Sequence, residues 1–330
     1  YHTYMSGKWH VTVEGAFTQP NGSYPVERGF EKYYGCLSGG GSYYTPKPVF
    51  SGLQRITEFP KDYYYTTAIT DSAVSFIRQH PVDEPMFMYL AHYAPHLPLQ
   101  APKERVEACR ERYKAGYDVL RKQRFERIRR NGLIDIEGEL PVFEKEFGGK
   151  RPAWNSLTPQ QQERWITEMA TYAAMIEIMD DGIGEVIKAT KEKGIFDNTI
   201  FLFLSDNGAT NEGDMITQLR ADLSNTPFRS YKQWCFQGGT SAPLIIMYGG
   251  GQPDGKKGAV RHEFTHIIDL FPTCLDMASI EYPREFQNHA IDAPGGRTIL
   301  PALKGKKLSK RDLFFEHQTS CGIISGDWML

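Results

Sequence analysis

The sequence places a lysine and a histidine two positions apart in the stretch GKWH, residues 7–10. If this stretch is extended, Lys8 and His10 point to one side and Trp9 to the other, where its ring can pack into the core. An ammonium group next to an imidazole presents two hydrogen-bond donors to an anionic oxygen. Taken alone the pattern is weak, because an exposed lysine beside an ordinary histidine explains it more simply.

A second stretch, SDNG at residues 205–208, pairs a carboxylate with a neutral amide oxygen. Asp206 and Asn207 are ligands of the kind that a hard cation such as Ca²⁺ or Mg²⁺ prefers. Two oxygens are too few to complete such a site. Since Asn-Gly is also a strong turn signal, a plain turn after a strand explains the same residues, and both interpretations stay open.

Two further candidate side chains lie in loops. His96 stands between Pro95 and Pro98, in a loop that cannot fold into a helix, so its ring is predicted to point outward. There it could protonate a departing alkoxide or phenoxide, or it could be an incidental loop residue. Lys232 precedes a Gly-Gly turn and an apolar run, from which it could reach the same site as the other candidates.

Helices and strands in alternation must position these residues. Residues 66–80 carry apolar side chains at helical spacing, and the apolar run within 85–98 indicates a buried strand that leads into the His96 loop. The longest predicted helix runs from Pro159 to about Lys193. Its ends have clear signals: a capping box and a glycine stop, formed by Thr158, Gln161 and Gly194.

Further strands are predicted at 198–208 and 242–250, with a helix at 265–280. The continuous apolar runs of these two strands are typical of central parallel strands covered on both faces, so the sequence predicts a parallel α/β sheet. Ligands of such sheets bind beyond the carboxyl ends of the strands. Asp206, Asn207 and His96 all fall at such ends. Residues 313–330 predict short strands with a Gly-Asp turn, the start of a smaller antiparallel piece.

Composition narrows the function classes. The chain has 330 residues, 40% of them hydrophobic, which allows one large α/β domain or two smaller ones. No run approaches the roughly 20 apolar residues that cross a bilayer. A formal charge of −2 gives no reason to expect nucleic acid as a partner. Residues 103–130 are basic, and we favour a solvated helix surface there over a polyanion-binding face.

The five cysteines are scattered and show no zinc-site spacing, so neither a metal finger nor a disulfide scaffold is indicated. The chain begins at Tyr1 without Met or a signal peptide, and the apolar pattern is still running at Leu330. We therefore expect the 330 residues to be an excerpt of a longer protein.

The order of these motifs resembles one family closely. GKWH is followed by VERGFEKYYG (26–35), APHLPLQAP (94–102), YAAMIEIMDDGIGEVI (172–187), NTIFLFLSDNGA (198–209), RSYKQWCFQGGTSAPLI (229–245) and GRTILPAL (296–303). This series is similar to that of the sulfatases of the alkaline phosphatase superfamily, over nearly the whole chain. The resemblance is tightest to bacterial arylsulfatases, which share segments like 113–134 and 151–159.

The resemblance implies the fold and its division. We expect an alkaline phosphatase-like α/β fold with a mixed, mostly parallel sheet sandwiched by helices over residues 1–312. The start of a small C-terminal antiparallel subdomain is expected at 313–330. It also implies a sulfuric ester hydrolase that acts on a small-molecule or glycan sulfate ester and is periplasmic or secreted.

In that family a bound Ca²⁺, or Mg²⁺ in its place, and several cationic side chains hold the sulfate, while a formylglycine hydrate attacks sulfur. By motif, Lys8 resembles the lysine that binds sulfate and steadies the nucleophile, and His10 resembles the histidine that helps expel sulfate from the hemiacetal. His96 is similar to the histidine beside the leaving-group oxygen. The remaining matches are two metal ligands and a lysine that bridges sulfate and leaving oxygen, namely Asp206, Asn207 and Lys232.

The match is incomplete at its start. The family forms its formylglycine in a CxPSR or CxAxR motif before GKWH, and the residues that follow Cys36, Cys109, Cys235, Cys274 and Cys321 fit neither motif. We expect that motif, and the remaining Asp ligands, in a preceding segment, so that this excerpt alone is inactive. GKWH is also followed by Val11-Thr12 where the family has Leu-Gly, which predicts a longer strand.

Two rival functions stay open at this point. One is a phosphonate or phosphodiester hydrolase of the same superfamily, and the other is a non-catalytic relative that binds sulfated glycans. Tyr43 and Tyr44 could stack on a sugar or an aryl ring, or they could simply cover the core. For the family interpretation we expect Lys8, His10, His96, Asp206, Asn207 and Lys232 to meet in one pocket at the carboxyl edge of the sheet.

Overall fold

Two units make up the chain in the computed structural model, which describes residues 1–13, 15, 17–143, 151–254 and 256–330. The first unit comprises Tyr1–Gly116 and Leu157–Thr199, and the second comprises Tyr117–Ser156 and Ile200–Leu330. The predicted division at residue 312 separates an α/β part from an antiparallel part, and it stays a prediction.

The strands are β1 (His2–Gly7), β2 (Lys32–Cys36), β3 (Val49–Ser51), β4 (Gln54–Ile56), β5 (Met86–Ala91), β6 (Ile200–Leu204), β7 (Leu244–Tyr248), β8 (Glu285–Phe286), β9 (His289–Ala290), β10 (Asp312–His317), β11 (Ser320–Ser325) and β12 (Trp328–Met329). The α-helices are α1 (Tyr65–Gln79), α2 (Lys103–Arg110), α3 (Gly116–Arg130), α4 (Pro159–Lys193), α5 (Met215–Asn225), α6 (Gln237–Thr240), α7 (Leu270–Met277) and α8 (Leu300–Leu303).

The first unit is built on a sheet with the strand order β4-β3-β2-β1-β5. β1 pairs in parallel with both β2 and β5, whereas β3 and β4 add antiparallel strands at the other edge. The parallel core means that the carboxyl ends of β1, β2 and β5 lie side by side. Gly7 ends β1 with φ 123°, and a Cβ there would overlap the carbonyl of Ala91, so only glycine allows β1 and β5 to approach this closely.

Two long helices cover one face of this sheet. α1 packs on β1, β2 and β5, and α4 packs on α1 and α2. As predicted, α4 begins after a Thr158–Gln161 capping box and ends at Gly194, which takes a left-handed conformation with φ 77°. α1 and α4 approach closely because Gly182 lies against the side chain of Thr70. As the spacing of apolar residues predicted, both helices bury their apolar side chains.

Aromatic residues dominate the core of the first unit. A cluster between α1, α4 and the sheet contains four fully or largely buried tyrosines, namely Tyr43, Tyr64, Tyr65 and Tyr93. A second cluster contains Met5, Tyr33 and Phe50. Burial of such rings supplies most of the hydrophobic stabilisation of a core, and their hydroxyl groups still need hydrogen-bond partners.

Five of the eleven lysines and arginines in the basic segment 103–130 form ion pairs with acids of the described residues. In the first unit, Arg105 contacts Asp181 at 2.7 Å and Arg110 contacts Glu163 at 2.8 Å, so α2 is held to α4 by ion pairs. In the second unit, buried Arg121 of α3 contacts Asp222 of α5 at 2.8 Å. Burial raises the pKa of the Asp222 carboxyl, although Arg121 and Arg151 oppose that rise. These cations hold helices in place; buried Arg121 is not on a solvated surface, and for the rest of the segment the predicted helix surface stays a prediction.

The second unit contains β6 and β7 as a two-stranded antiparallel sheet, with Leu202 opposite Ile246. The sequence predicted a central parallel strand at each of these runs, but the pairing between β6 and β7 is antiparallel. A continuous apolar run reports burial on both faces and carries no information about the direction of the neighbouring strand. The C-terminal prediction is confirmed: β10, β11 and β12 form an antiparallel sheet, with a turn at Gly326-Asp327 between the last two strands.

None of the described helices combines the length and the apolar composition that crossing a membrane requires.

Candidate functional site

The chain turns away from the sheet directly after β1. Three successive backbone N–H groups bond to the ends of neighbouring strands: Lys8 to the carbonyl of Ala91, Trp9 to that of Cys36 and His10 to that of Leu37. His10 takes a left-handed conformation with φ 55°. The predictions that Lys8 and His10 share one face of a strand, and that the strand is longer here than in the family, are therefore wrong, because β1 ends at Gly7.

Trp9 anchors this turn, as predicted. Its indole N–H donates to the carbonyl oxygen of Ser23 at 2.8 Å, and its ring meets Phe30 edge-on, with centroids 6.1 Å apart. The ring also packs against the cluster that contains Met5 and Tyr33. With the indole fixed on the core side, the lysine and the histidine on either side of it are held at the carboxyl edge of the sheet.

Lys8 and His96 meet on one aromatic ring. The ammonium nitrogen of Lys8 lies 5.6 Å from the ring centroid of Tyr93, within the range of a cation–π contact. The imidazole of His96 stacks on the same ring, with centroids 5.2 Å apart and planes inclined by 25°. A residue that follows β1 and a residue that follows β5 are thus brought to the same place. We call Lys8, His10, Tyr93 and His96 the imidazole cluster.

His96 is oriented by its own loop. Nδ1 lies 2.8 Å from the carbonyl oxygen of Leu97. Because a carbonyl oxygen can only accept, Nδ1 carries the hydrogen, and Nε2 is the nitrogen that gains or loses a proton. The ring is half-buried, so the prediction of an outward-pointing side chain needs correction. Stacking on Tyr93 and the bond to Leu97 hold the ring against the protein.

The His10 ring lies against the loop that follows β2. A Cβ added to Gly39 would overlap the atoms of the imidazole, including Nε2. The absence of a side chain at Gly39 therefore makes the space in which the ring sits. The exposed His10 has its position fixed by this contact and by its backbone bond to Leu37.

Tyr43 and Tyr44 have different environments. Tyr43 is fully buried, stacks on Tyr93 with centroids 4.9 Å apart, and donates its hydroxyl to the carbonyl of His96 at 2.9 Å. Burial raises the pKa of the Tyr43 phenol, which keeps it a donor. Tyr44 is 40% exposed. Of the two interpretations, covering the core describes Tyr43, whereas Tyr44 has an accessible ring.

In the second unit, the loop 205–209 follows β6, and we call it the strand-end loop. Asp206 is exposed, and the Asn207 amide donates from Nδ2 to the carbonyl of Gly208 at 3.0 Å. That bond orients the Asn207 side chain and makes Oδ1 the atom that could bind a cation. The Ser205 hydroxyl donates to the carbonyl of Asn207 at 2.8 Å, which closes the turn.

Lys232 is held beside this loop by its backbone. Its N–H donates to the carbonyl of Ala209 at 3.0 Å, and the N–H of Gly208 donates to the carbonyl of Gly239 at 3.1 Å. A Cβ on Gly208 would overlap the carbonyl of Gly238, so the two segments touch backbone to backbone. The structure therefore brings Lys232 next to the Asp206-Asn207 turn, as the sequence predicted.

A carboxylate and an amide oxygen at the strand-end loop fit a hard cation in their donor chemistry. They are only part of a ligand set: within the described residues, no group of three or more His, Cys, Asp or Glu side chains could hold a metal ion. The metal site stays a prediction in which Asp206 and Asn207 supply two ligands.

Each unit thus collects part of the predicted site. The first places Lys8, His10 and His96 at the carboxyl edge of its sheet, and the second places Lys232 beside Asp206 and Asn207. That all six form one pocket stays a prediction.

Sequence reasoning missed three residues in the first unit. Tyr93 and Gly39 hold the predicted side chains, and the only signal for them was their place in the loops after β5 and β2. The third is His92, whose two ring nitrogens are buried without a hydrogen-bond partner among the described residues. Burial lowers the pKa of His92 to about 4, so the ring is neutral at neutral pH.

Comparison with known proteins identifies relatives of the chain. A family model for sulfatases matches residues 1–280. An arylsulfatase of Klebsiella aerogenes is 30% identical over 319 residues, which cover 85% of this chain and 66% of that protein. An uncharacterized sulfatase of Schizosaccharomyces pombe is 30% identical over 90% of this chain and 60% of its own length. The chain thus spans about two thirds or less of these relatives.

Solved structures agree on the fold. The crystal structure of Ps i-CgsB in complex with k-i-k-neocarrahexaose matches with a TM-score of 0.67 at 23% identity, over 100% of this chain and 62% of that one. The structure of BT4656 in complex with D-glucosamine-2-N,6-O-disulfate matches with a TM-score of 0.56 at 19% identity, over 100% of this chain and 70% of that one. The predicted α/β fold, with an antiparallel piece at its C-terminal end, is confirmed.

Proposed function

Since the chain belongs to the sulfatase family, we propose that its parent protein hydrolyses a sulfate monoester and that these residues form much of the active site. The observation that supports this most is the imidazole cluster. It places a cation and a titratable imidazole on one ring, at the carboxyl edge of a parallel sheet. Sulfuryl transfer needs both: positive charge for the outer oxygens and a proton for the leaving oxygen.

The lysines supply the positive charge. Lys8 is fixed at its backbone by Ala91, and its ammonium is directed by the Tyr93 ring, so it can meet a sulfuryl oxygen without rearranging. Lys232 is fixed at its backbone by Ala209. We assign it to the oxygen that bridges sulfur and the leaving group. Preorganised cations of this kind stabilise charge that develops in the transition state.

The histidines move protons. Because Nδ1 of His96 is bonded to Leu97, Nε2 is the nitrogen that can deliver a proton to the leaving oxygen. An imidazole is suited to this at neutral pH, since its ordinary pKa is about 6.5. His10 is assigned to the later release of sulfate, with its ring set in place by Gly39.

Asp206 and Asn207 would hold a Ca²⁺ ion. Bound there, Ca²⁺ would neutralise oxygen charge near the reacting sulfur, and a formylglycine elsewhere in the parent protein would supply the nucleophile. The chain's own contribution is to keep the Asn207 amide oriented through Gly208.

For the substrate we propose a sulfated sugar. One of the structural neighbours named above was solved with k-i-k-neocarrahexaose and the other with D-glucosamine-2-N,6-O-disulfate. The 40% exposed ring of Tyr44 could stack on such a sugar ring. We also propose that the parent protein is located in the periplasm or outside the cell.

The proposal is tested on the full-length gene product with nitrophenyl sulfate, a nitrophenyl phosphonate ester and a panel of sulfated sugars. We expect turnover of sulfate esters, loss of activity with a Ca²⁺ chelator, and formylglycine detectable by mass. Lys8→Ala should lower kcat/KM by about 100-fold or more. Lys32→Ala is the matched control, because the Lys32 ammonium lies 5.4 Å from the Tyr4 ring, near the start of its strand.

Faster turnover of the phosphonate ester would replace the proposal with phosphonate hydrolysis. Binding of sulfated sugars without turnover of any ester, in a protein that lacks formylglycine, would leave a glycan-binding protein as the better description.

A further inference from the structure

Tyr93 contacts two other members of the imidazole cluster and the buried Tyr43. Its ring touches the Lys8 ammonium, the His96 imidazole and the ring of Tyr43. Its hydroxyl accepts the N–H of Gly41 at 3.0 Å and donates to the carbonyl oxygen of Leu97. One side chain therefore joins the turn after β1, the loop after β2 and the loop after β5.

The hydroxyl of Tyr93 and Nδ1 of His96 share one acceptor. Both donate to the carbonyl oxygen of Leu97. Burial raises the pKa of the Tyr93 phenol, so the hydroxyl stays protonated and keeps this bond through neutral pH. Loss of the hydroxyl would remove the acceptor of the Gly41 N–H, whereas the Leu97 carbonyl would still accept from Nδ1 of His96.

The ring of Tyr93 contacts two groups that carry positive charge in the proposed reaction, the Lys8 ammonium and the protonated His96 imidazole. Stacking holds the imidazole nearly parallel to the phenol, and the cation–π contact holds the ammonium near the same ring. Two cations brought closer would repel, which would disfavour the protonated imidazole that a leaving oxygen needs. Contact with one aromatic ring thus limits the positions that the ammonium and the imidazolium can take.

We propose that Tyr93 is a positioning residue, which orients the His96 imidazole toward the leaving oxygen and fixes the Lys8 ammonium beside it. This inference rests on the proposed sulfate-ester hydrolysis. Tyr93 itself donates no proton to substrate, so its effect must appear through His96 and Lys8.

Leaving-group dependence tests the assignment in the full-length protein. A poor leaving group depends on proton delivery, whereas nitrophenolate departs without much help. Tyr93→Leu, which removes the ring and the hydroxyl, should lower kcat about 100-fold for phenyl sulfate and about tenfold or less for 4-nitrophenyl sulfate, with KM changed much less. Tyr93→Phe keeps the ring and should restore most of the phenyl sulfate activity.

Tyr64→Leu is the matched control, because Tyr64 belongs to the same buried cluster and packs against Tyr43 and Tyr44. It should lower thermal stability, and any loss of activity should be equal for the two esters. Equal losses for the two esters in Tyr93→Leu, or no loss, would contradict the assignment and reduce Tyr93 to a core residue.

A second readout does not need turnover. In NMR spectra of the full-length protein, the His96 ring protons should be shifted upfield by the stacked phenol. Tyr93→Leu should abolish that shift, Tyr93→Phe should keep it, and His96→Gln identifies the signal. If the wild type hydrolyses no sulfate ester but this pattern is found, the proposed function fails and the positioning contact stands. A His96 signal that is unchanged in Tyr93→Leu overturns the inference in either case.

Discussion

The imidazole cluster of the first unit and the strand-end loop of the second are positioned by different means. In the imidazole cluster, rings position the functional side chains: Tyr93 lies against Lys8 and His96, and Trp9 anchors the turn between Lys8 and His10. In the strand-end loop, the backbone carries it, through bonds from Lys232 to Ala209 and from Gly208 to Gly239.

The difference bears on what each region tolerates. A side chain at the edge of a ring cluster can rotate away when its neighbour changes, so function can be lost while the fold is kept. Two backbone segments in direct contact have no such freedom, since any added atom must push the chain itself apart. Substitutions in the strand-end loop should therefore destabilise the protein, whereas comparable substitutions in the imidazole cluster should mainly change activity.

The largest expected effect is that of Gly208→Ala. A Cβ at this position would overlap the carbonyl of Gly238, and the bond from Gly208 to Gly239 would be strained as well. We expect the free energy of unfolding to fall by about 2–4 kcal/mol, measured from the denaturant midpoint.

The control for that experiment is Gly184→Ala. Gly184 is exposed within α4, and a Cβ there would meet no atom within 4 Å. Since alanine is the better helix former, this variant should be unchanged or up to about 1 kcal/mol more stable. Comparable midpoints for the two variants would show that the strand-end loop can adapt to an added side chain. The expected difference in tolerance between the two regions would then be wrong.

A smaller effect on stability is expected for Gly39→Ala in the imidazole cluster. The added Cβ meets the exposed His10 side chain, which can swing away, so unfolding should cost at most about 1 kcal/mol less. Turnover in the full-length protein should fall about tenfold or more, because His10 leaves its position. His10→Ala provides the reference: if Gly39→Ala acts through this histidine, the double variant should be no slower than His10→Ala alone.

The sequence alone predicted the parts whose signals are local. The capping box at Thr158 and the stop at Gly194 define α4 in the structure as they do in the sequence. The turn at Asp206-Asn207 after β6 followed from an apolar run and an Asn-Gly signal. These features depend on hydrogen bonds between residues near in sequence, or on burial patterns that one element shows by itself.

What could not be predicted depends on residues far apart in the chain. The bend after Gly7 forms because the backbone N–H groups of Lys8 and His10 bond to the ends of β5 and β2. The alternation of side chains within GKWH cannot predict these distant partners. The pairing of β6 with β7 is antiparallel for a similar reason, since apolarity does not encode direction. Tyr93 is one of 18 tyrosines, and only the folded chain identifies it as the ring that both Lys8 and His96 contact.

The smallest expected effect lies at the opposite end of β1. His2 begins the strand, and its imidazole lies 2.6 Å from a carboxylate oxygen of Glu31 and 2.5 Å from one of Glu84. The hydrogen bond to Glu31, followed by that to Glu84, raises the pKa of His2 above its ordinary value of 6.5. The imidazolium thus ties the beginnings of β1, β2 and β5 together, where Glu31 and Glu84 precede the neighbouring strands.

The sign of the pH dependence follows from that shift. Because the folded pKa is raised, the stabilisation is fully present below pH 6.5 and is lost as the pH rises through the folded pKa. His2→Gln should therefore lower the denaturant midpoint slightly at pH 6 and not at pH 9. In a double-mutant cycle with Glu31→Gln, the coupling should disappear over the same range.

The His2→Gln variant also tests whether the stability of β1 can be lowered without a change in the geometry of the site. His2 and Lys8 lie at opposite ends of β1, so weakening the His2 contacts should leave turnover of sulfate esters in the full-length protein unchanged at pH 6. If His2→Gln slowed turnover as strongly as Gly39→Ala does, the geometry of the imidazole cluster would depend on contacts at the opposite end of β1. Its rings would then not be sufficient to hold Lys8 and His96 in place, and the contrast with the backbone-built loop would have to be abandoned.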